Sequence, residues 1–175
     1  MKTREEMLSR IPKFSVGAEI GVFNGAFSQC IIDIINPRSL FLVDIFSGQM
    51  ISADKNGENI QQINLYQSCF DLFRKYLNNP SISLYRGPSG HFLNLLPDAY
   101  LDFIYIDGDH SYNGVKIDIE LARKKVKTGG LICGHDYTPQ FAGVIQAVDE
   151  FCINYKTKLE LTKEDKCPSY LIVNS

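Results

Sequence analysis

The sequence of 175 residues has no tryptophan, no long hydrophobic run and no pair of cysteines in C-x-x-C spacing. No apolar stretch approaches the roughly 18 residues of a membrane-spanning helix, and the N-terminal segment MKTREEMLSR has no hydrophobic signal-peptide core. The five cysteines are odd in number and widely scattered, which argues against a disulfide framework. We therefore expect a cytoplasmic protein with reduced thiols and no membrane partner.

Net charge is also small, since 18 basic residues nearly balance 20 acidic ones and leave a charge of −2. This balance gives no electrostatic reason to expect a nucleic-acid partner. Hydrophobic residues make up 45% of the chain and charged residues 22%, as in ordinary globular proteins. The length suits one domain, and we assign residues 1–175 to it.

Short apolar runs alternate with segments of helical periodicity. Five strand-then-helix steps predict a parallel sheet with helices on both faces, and two last strands without a helix between them predict an antiparallel edge strand. The expected fold is α/β: a Rossmann-like, doubly wound, seven-stranded, mostly parallel sheet. The predicted strands are 16–20, 39–45, 82–86, 101–106, 131–133, 159–162 and 169–173. The predicted helices are a short one at 3–11 and longer ones at 26–35, 60–77, 91–96, 114–127 and 142–155; residues 46–59 are a polar loop.

A glycine turn follows the first predicted strand. Glu19, Gly21 and Gly25 stand in the order E-x-G-x-x-x-G, and a helical pattern begins at Ala26. Glycine permits a positive φ and a close approach of a ligand, while the new helix presents free N–H groups. The spacing matches neither the G-x-G-x-x-G of dinucleotide enzymes nor the P-loop. A plain turn without a ligand is the alternative.

Two further strand ends could contribute to a nucleotide site. Asp44 ends the second strand about 20 residues beyond the glycine turn, where an acid accepts hydrogen bonds from ribose hydroxyls; the alternative is a turn cap. The third strand ends in the turn Arg86-Gly87-Pro88-Ser89, which either forms a wall of an adenine pocket or is only a turn.

Acids and histidines follow the fourth and fifth strands. The segments are Asp107-Gly108-Asp109-His110 and Gly134-His135-Asp136-Tyr137, and adjacent parallel strands would bring them to one crevice. Burying so much polarity only for structure would be costly. Carboxylate oxygens suit Mg²⁺, whereas imidazole favours softer divalent metals. A histidine acting as a general base instead of a ligand is the other interpretation.

Taken together, these motifs resemble the class I S-adenosylmethionine-dependent methyltransferases. The resemblance is carried by AEIGVFNGAFS at residues 18–28 and by YIDGDHSYNGVKIDIE, KTGGLICGHDY and GVIQAVDEF further on. It is closest to the small-molecule group that includes macrolide-sugar O-methyltransferases. The resemblance implies that Glu19, Gly21 and Gly25 hold the methionine part of S-adenosylmethionine, that Asp44 holds its ribose and that Ser89 lies at its adenine.

The resemblance also implies a metal site and catalytic residues. In metal-dependent relatives, an acid after the fourth strand and two consecutive residues after the fifth bind Mg²⁺ or another divalent metal. The matching residues are Asp107, His135 and Asp136, although relatives often have an acid where His135 stands. Asp107 is also assigned to the cofactor site, and Asp107, His110 and His135 are the candidate catalytic residues.

The expected activity is therefore methyl transfer from S-adenosylmethionine to a small-molecule acceptor, at a hydroxyl oxygen. A nicotinamide-dependent oxidoreductase or epimerase is one alternative, but the chain lacks both G-x-G-x-x-G and a Tyr-x-x-x-Lys pair. A cofactor-binding module without turnover is another. The partner expected is the small-molecule acceptor, with a homo-oligomer left open.

Overall fold

The computed structural model describes residues 1–47, 49–53, 60–77, 82–163 and 166–175. The strands in these ranges are β1 Val16–Ile20, β2 Ser39–Asp44, β3 Gln49–Ala53, β4 Ile60–Asn64, β5 Ile82–Arg86, β6 Leu101–Ile106, β7 Val126–Gly134, β8 Leu159–Leu161 and β9 Tyr170–Val173. The helices are α1 Arg4–Leu8, α2 Ala26–Ile35, α3 Leu65–Leu77, α4 Ser89–Leu95, α5 Tyr112–Lys125 and α6 Ala142–Tyr155, with a 3-10 helix at Pro139–Phe141. None of the described helices has the length and apolarity to cross a membrane.

Seven strands form the main sheet in the order β5-β2-β1-β6-β7-β9-β8. The first five are parallel to one another, whereas β9 runs antiparallel to both β7 and β8. The predicted fold class is confirmed, including the closing hairpin. Strand order reverses at β1, since the chain continues to β2 on one side and later to β6 on the other.

Helices cover both faces of this sheet. One hydrophobic cluster joins α4, α5 and α6 to one face, and a second joins α1, α2 and α3 to the other. Strand β6 serves both, because alternate side chains of a strand point to opposite faces. Phe103 and Tyr105 belong to the second cluster, and Ile104 and Ile106 to the first. The central strands are therefore apolar throughout, as the sequence indicated.

The segment between β2 and α3 differs from the prediction. Gln49–Ala53 pairs antiparallel with Ile60–Asn64 in a separate two-stranded sheet, so the loop predicted at 46–59 contains a strand and the helix predicted from residue 60 begins at Leu65. The side chain of Asn64 accepts a hydrogen bond from the backbone N–H of Gln67 at 3.1 Å, which caps the helix there. Residues 48 and 54–59 of the predicted loop lie outside the described ranges.

Gly17 lets β1 and β6 pack together in the centre of the sheet. It is paired with Phe103, and a Cβ on Gly17 would lie 2.1 Å from the Phe103 ring, which is fully buried. We expect Gly17→Ala to lower the free energy of unfolding by about 1–3 kcal/mol through overpacking. Urea denaturation measures this change.

Gly90→Ala is the matched control for this prediction. A Cβ at Gly90 would have its nearest neighbour, a Leu121 methyl carbon, at 3.7 Å, so the free energy of unfolding should stay the same or rise slightly. Equal stability of the two variants would contradict the packing described here.

Candidate functional site

A cavity of about 920 Å³ opens above the carboxyl ends of β1, β2 and β6. The structure brings most of the predicted site residues to its wall, from the glycine turn through Asp44 to the 87–89 turn and the segment after β6. The predicted residues among its lining are Glu19, Gly21, Asp44, Ser89, Asp107 and His110. Gly25, His135 and Asp136 lie beside this wall, in the turn that starts α2 and in the segment that follows β7.

The glycine turn is as tight as the sequence predicted. Gly21 has a φ of 86°, and a Cβ there would lie 1.9 Å from the backbone oxygen of Asp107. Gly25, with a φ of 81°, is the N-cap of α2. Any side chain at Gly21 would push β1 and β6 apart, so glycine is required for the two strand ends to form one wall of the cavity.

Asp44 holds the glycine turn in place. Its Oδ2 accepts hydrogen bonds from the backbone N–H groups of Val22 and Phe23, both at 2.8 Å, and its Oδ1 accepts one from Phe46 at 2.7 Å. Two of these donors, Phe23 and Phe46, have positive φ angles of 52° and 47°. The turn-cap role is therefore present, and because a carboxylate has about four acceptor sites, a ribose hydroxyl can still bind.

Glu19 is almost completely buried at the end of β1, with 1% of its surface exposed. Its carboxyl accepts a hydrogen bond from the hydroxyl of Ser28 on α2. Burial raises the pKa of Glu19 to about 8, and the charges of Asp107 and Asp44 act in the same direction. The folded protein therefore favours the neutral carboxyl near pH 7 unless a cationic ligand group arrives.

Asp107, His110 and Asp136 form the polar centre of the site. One ligand atom from each lies within 4.8 Å of the others. The His110 Nε2 is 2.6 Å from the Asp136 Oδ2 and 3.4 Å from the Asp107 Oδ1. These two carboxylates raise the pKa of His110, the hydrogen bond to Asp107 being the largest cause. The strand-end convergence expected from the sequence is thus present.

The two histidines have different surroundings. His110 stacks on Phe141, with ring centroids 4.5 Å apart. His135 has its Nδ1 3.1 Å from the Asp136 Oδ1 and 3.9 Å from the Asp107 Oδ2. The compact group of ligand atoms therefore contains His110, while His135, which the resemblance assigns to the metal, contacts the other carboxylate oxygen of Asp136. Asp136 connects the two rings, and its φ of 58° places it in the left-handed region.

Two side chains of the site were missed by sequence reasoning. Arg4 of α1 lines the cavity, with its guanidinium 4.5 Å from the ring centroid of Phe27. It is the one lysine or arginine among the described lining residues, which also include four carboxylates. Asp118 of α5 is 3% exposed, and its Oδ1 accepts a hydrogen bond from the Ser89 hydroxyl at 2.6 Å. Neither follows a strand, so no strand-end rule could indicate them.

These features define the class of protein. Solved proteins that are named as methyltransferases have the same fold, and one of them is in complex with SAH. Residues 18–137 match the family described as "Methyltransferase domain". The chain belongs to this family.

Solved structures with the same fold are similar to the chain at low identity. Precorrin-6y C5,15-methyltransferase of Geobacter metallireducens GS-15 aligns at a TM-score of 0.65 and 15% identity, covering 97% of this chain and 84% of that one. Protein SMU.1697c of Streptococcus mutans, in complex with SAH, aligns at 0.69 and 10%, covering 98% and 96%. An rRNA methylase of Streptococcus thermophilus aligns at 0.66 and 9%, covering 98% and 93%.

A curated relative is also detectable by sequence. The chain is 29% identical over 128 residues to an uncharacterized protein of Acanthamoeba polyphaga mimivirus. The match covers 68% of this chain and 50% of the relative, so the chain spans about half the length of the curated protein it matches.

The buried carboxyl of Glu19 predicts a pH dependence of stability. Its pKa of about 8 in the folded state exceeds the ordinary value of 4.5, so between these values the folded protein holds a proton that the unfolded chain releases. Stability is then full below about pH 4.5 and falls as pH rises toward 8, by at most about 1.4 kcal/mol per pH unit. We expect Glu19→Gln to flatten this decline in urea denaturation at pH 5, 6.5 and 8.

Glu160→Gln serves as the control. Glu160 is paired with Arg10 at 2.9 Å and has a lowered pKa, so its replacement should leave the decline between pH 5 and 8 in place. If Glu19→Gln shows the same decline as the wild type, Glu19 is ionised in the folded protein and the assignment is wrong.

Proposed function

We propose that this protein transfers the methyl group of S-adenosylmethionine to a hydroxyl oxygen of a small molecule. The observation that carries the proposal is the position of the Asp107, His110 and Asp136 group beside a 920 Å³ cavity that the glycine turn and Asp44 also line. A donor site and a proton-accepting site thus share one crevice. Family membership supports methyl transfer, and the residues of the crevice support an oxygen acceptor.

The chemistry of the cavity suits this donor. S-Adenosylmethionine carries a sulfonium cation, an ammonium group, a carboxylate and a ribose diol. The cavity volume of about 920 Å³ falls within the range of small-molecule pockets, roughly 300–1,000 Å³. Asp107 offers negative charge to the cationic groups, Glu19 offers a buried carboxyl that an arriving ammonium group would ionise, and Asp44 offers acceptor sites to the ribose. Arg4, as the cation of the described lining, is suited to the carboxylate.

The residues at the polar centre also suit a divalent cation. Two carboxylates and an imidazole supply three ligand atoms within 4.8 Å of one another, and Asp107, His110 and Asp136 would hold the ion. Oxygen ligands favour Mg²⁺, and the imidazole also admits a softer divalent metal. When bound, such an ion lowers the pKa of an acceptor hydroxyl.

The protein's own groups then have two tasks. Because the methyl group of a sulfonium is already activated, the first task is to align the acceptor oxygen with the methyl carbon. The second is to take the hydroxyl proton as the carbon–oxygen bond forms and the carbon–sulfur bond breaks. If His110 binds the divalent cation together with Asp107 and Asp136, His135 is the remaining imidazole of the site that can accept the hydroxyl proton. Its Nδ1 already faces Asp136 at 3.1 Å, which would orient the ring.

A small acceptor fits the charge of the site better than a nucleic acid does. The net charge of the chain is −2, and the described cavity wall holds four carboxylates and a single arginine. Proteins that bind nucleic acid gain much of their affinity from cations placed against phosphates. The wall would repel a phosphate backbone instead.

Binding of S-adenosylhomocysteine tests the donor half of the proposal. Isothermal calorimetry should detect binding to the wild type, and Asp44→Asn should weaken it about tenfold, because a charge-assisted hydrogen bond to the ribose is lost. Asp33→Asn, an exposed change on α2 that affects only a bond to Gln29, should bind as the wild type does. No binding to the wild type at millimolar ligand would refute the donor, and equal binding by Asp44→Asn would refute the ribose contact.

Manganese binding tests the metal half. Titration with Mn²⁺ followed by electron paramagnetic resonance should show binding to the wild type and a loss of at least about tenfold in Asp136→Asn, since a charged ligand is removed. Asp109→Asn is the matched control, because Asp109 lies next to the group but outside it. S-Adenosylhomocysteine affinity should stay within about twofold in Asp136→Asn, because Asp136 is not among the residues that line the cavity. Equal Mn²⁺ binding by Asp136→Asn, or none by the wild type, would contradict the metal site.

A further inference from the structure

The hydrogen bond between Ser89 and Asp118 joins the cavity wall to a buried carboxylate behind it. Ser89 begins α4 and lines the cavity, whereas Asp118 lies in the middle of α5 and is not part of the wall. The Ser89 hydroxyl donates to the Asp118 Oδ1 at 2.6 Å. The geometry thus places an acidic acceptor directly behind a serine that lines a ligand cavity.

Burial of the Asp118 carboxyl at this position lowers the stability of the fold. Asp118 is 3% exposed, and the described residues give it neither a cation nor any hydrogen-bond donor besides Ser89. Burial raises the pKa of Asp118 to about 6, with the charge of Asp109 as a further cause. An acid buried without a cation costs stability even when it accepts one hydrogen bond, so this position indicates a specific use.

The bond determines which way the Ser89 hydroxyl can interact. A serine hydroxyl has one proton to donate and two lone pairs that accept. Because the proton is directed to Asp118, a ligand group that approaches this hydroxyl from the cavity would meet only the lone pairs. The Ser89 hydroxyl is therefore restricted to accepting a hydrogen bond from the ligand.

The order of strands indicates which part of the donor reaches Ser89. Asp107 follows β6, the glycine turn follows β1, Asp44 follows β2, and the 87–89 turn follows β5. These strands are neighbours in the order β6-β1-β2-β5. With the reactive group at Asp107 and the ribose at Asp44, the base of the nucleoside extends toward Ser89.

We propose that Asp118 is a positioning residue that makes the Ser89 hydroxyl an obligatory acceptor and so selects a 6-aminopurine over a 6-oxopurine. This inference rests on the proposed function, because it requires a nucleoside in the cavity. The 6-amino group of adenine donates a hydrogen bond, whereas the 6-oxo group of hypoxanthine only accepts. Two acceptors facing each other repel and leave both groups without a hydrogen bond, and this discriminates between ligands more strongly than a difference in apolar contact does.

The experiment compares S-adenosylhomocysteine with its 6-oxo analogue, S-inosylhomocysteine, by calorimetry on the full chain. The wild type should bind the 6-amino ligand at least about tenfold more tightly, as expected for a lost and opposed hydrogen bond. Asp118→Ala frees the serine proton, which can then turn to the 6-oxo group, so the ratio should fall to within about threefold. Ser89→Ala removes the hydroxyl and should give the same low ratio.

Asp118→Asn distinguishes positioning from packing. The asparagine carbonyl can still accept the Ser89 proton, so the ratio should remain near that of the wild type. Glu120→Ala removes an acid from the same helix that contacts Tyr155 instead of the cavity turn, and it should also keep the wild-type ratio. If Asp118→Ala fails to fold, the comparison of Ser89→Ala with Asp118→Asn decides the matter.

The outcomes separate this inference from the proposed function. Wild-type protein that binds neither ligand refutes the S-adenosylmethionine site itself, and the inference falls with it. Wild-type protein that binds both ligands equally refutes the inference and leaves the donor site standing. A ratio unchanged in Asp118→Ala and Ser89→Ala, even with weaker overall binding, shows that the pair only holds α4 against α5 and overturns the inference.

Discussion

The close approach of β1 and β6 at Gly21 is the constraint on which the rest of the site depends. A Cβ at Gly21 would lie 1.9 Å from the Asp107 backbone oxygen, and the backbone is tied on both sides, from Gly21 to Val43 at 2.8 Å and from Asp107 to Ile20 at 2.7 Å. Strand order reverses at β1, so the chain leaves the sheet in opposite directions here. A crevice forms between the segments that follow β1 and β6, and the carboxyl ends of neighbouring parallel strands lie along it, as is typical of parallel α/β sheets.

A shared electrostatic feature follows from that crevice. Three acids in or behind its wall accept hydrogen bonds from neutral donors: Asp44 from three backbone N–H groups, Glu19 from the Ser28 hydroxyl and Asp118, behind the wall, from the Ser89 hydroxyl. Such donors add no positive charge to the site, and at Glu19 they do not offset burial, which raises the pKa of that carboxyl to about 8. The negative potential of the site therefore comes from Asp44, Asp107 and Asp136, which suits the sulfonium donor that we propose and is compatible with a divalent cation at Asp107 and Asp136.

Sequence patterns located the parts of the chain that lie at strand ends. The strands β1 and β5, the helices α2 and α6, and the glycine turn follow from local periodicity and from the residues that end each run. Residues 60–64 show the limit of that method, because Ile60 and Ile63 fit a helical period as well as a strand. Pairing with Gln49–Ala53 decides between them, and a pairing partner is a property of the folded chain.

Membership of a methyltransferase family agrees with the resemblance in the motifs, which span most of the chain.

The sequence by itself determined the α/β architecture, the glycine turn and the convergence of acids and histidines on one edge, because alternation of strands and helices admits few topologies. Only the tertiary structure decided which of these groups touch. It grouped His110 with Asp107 and Asp136 and set His135 against Asp136, and it brought Arg4 and Asp118 to the site from helices that carry no strand-end signal. Contacts between distant segments depend on how helices pack across the sheet. No local pattern of residues encodes which side chains from distant segments will lie in contact.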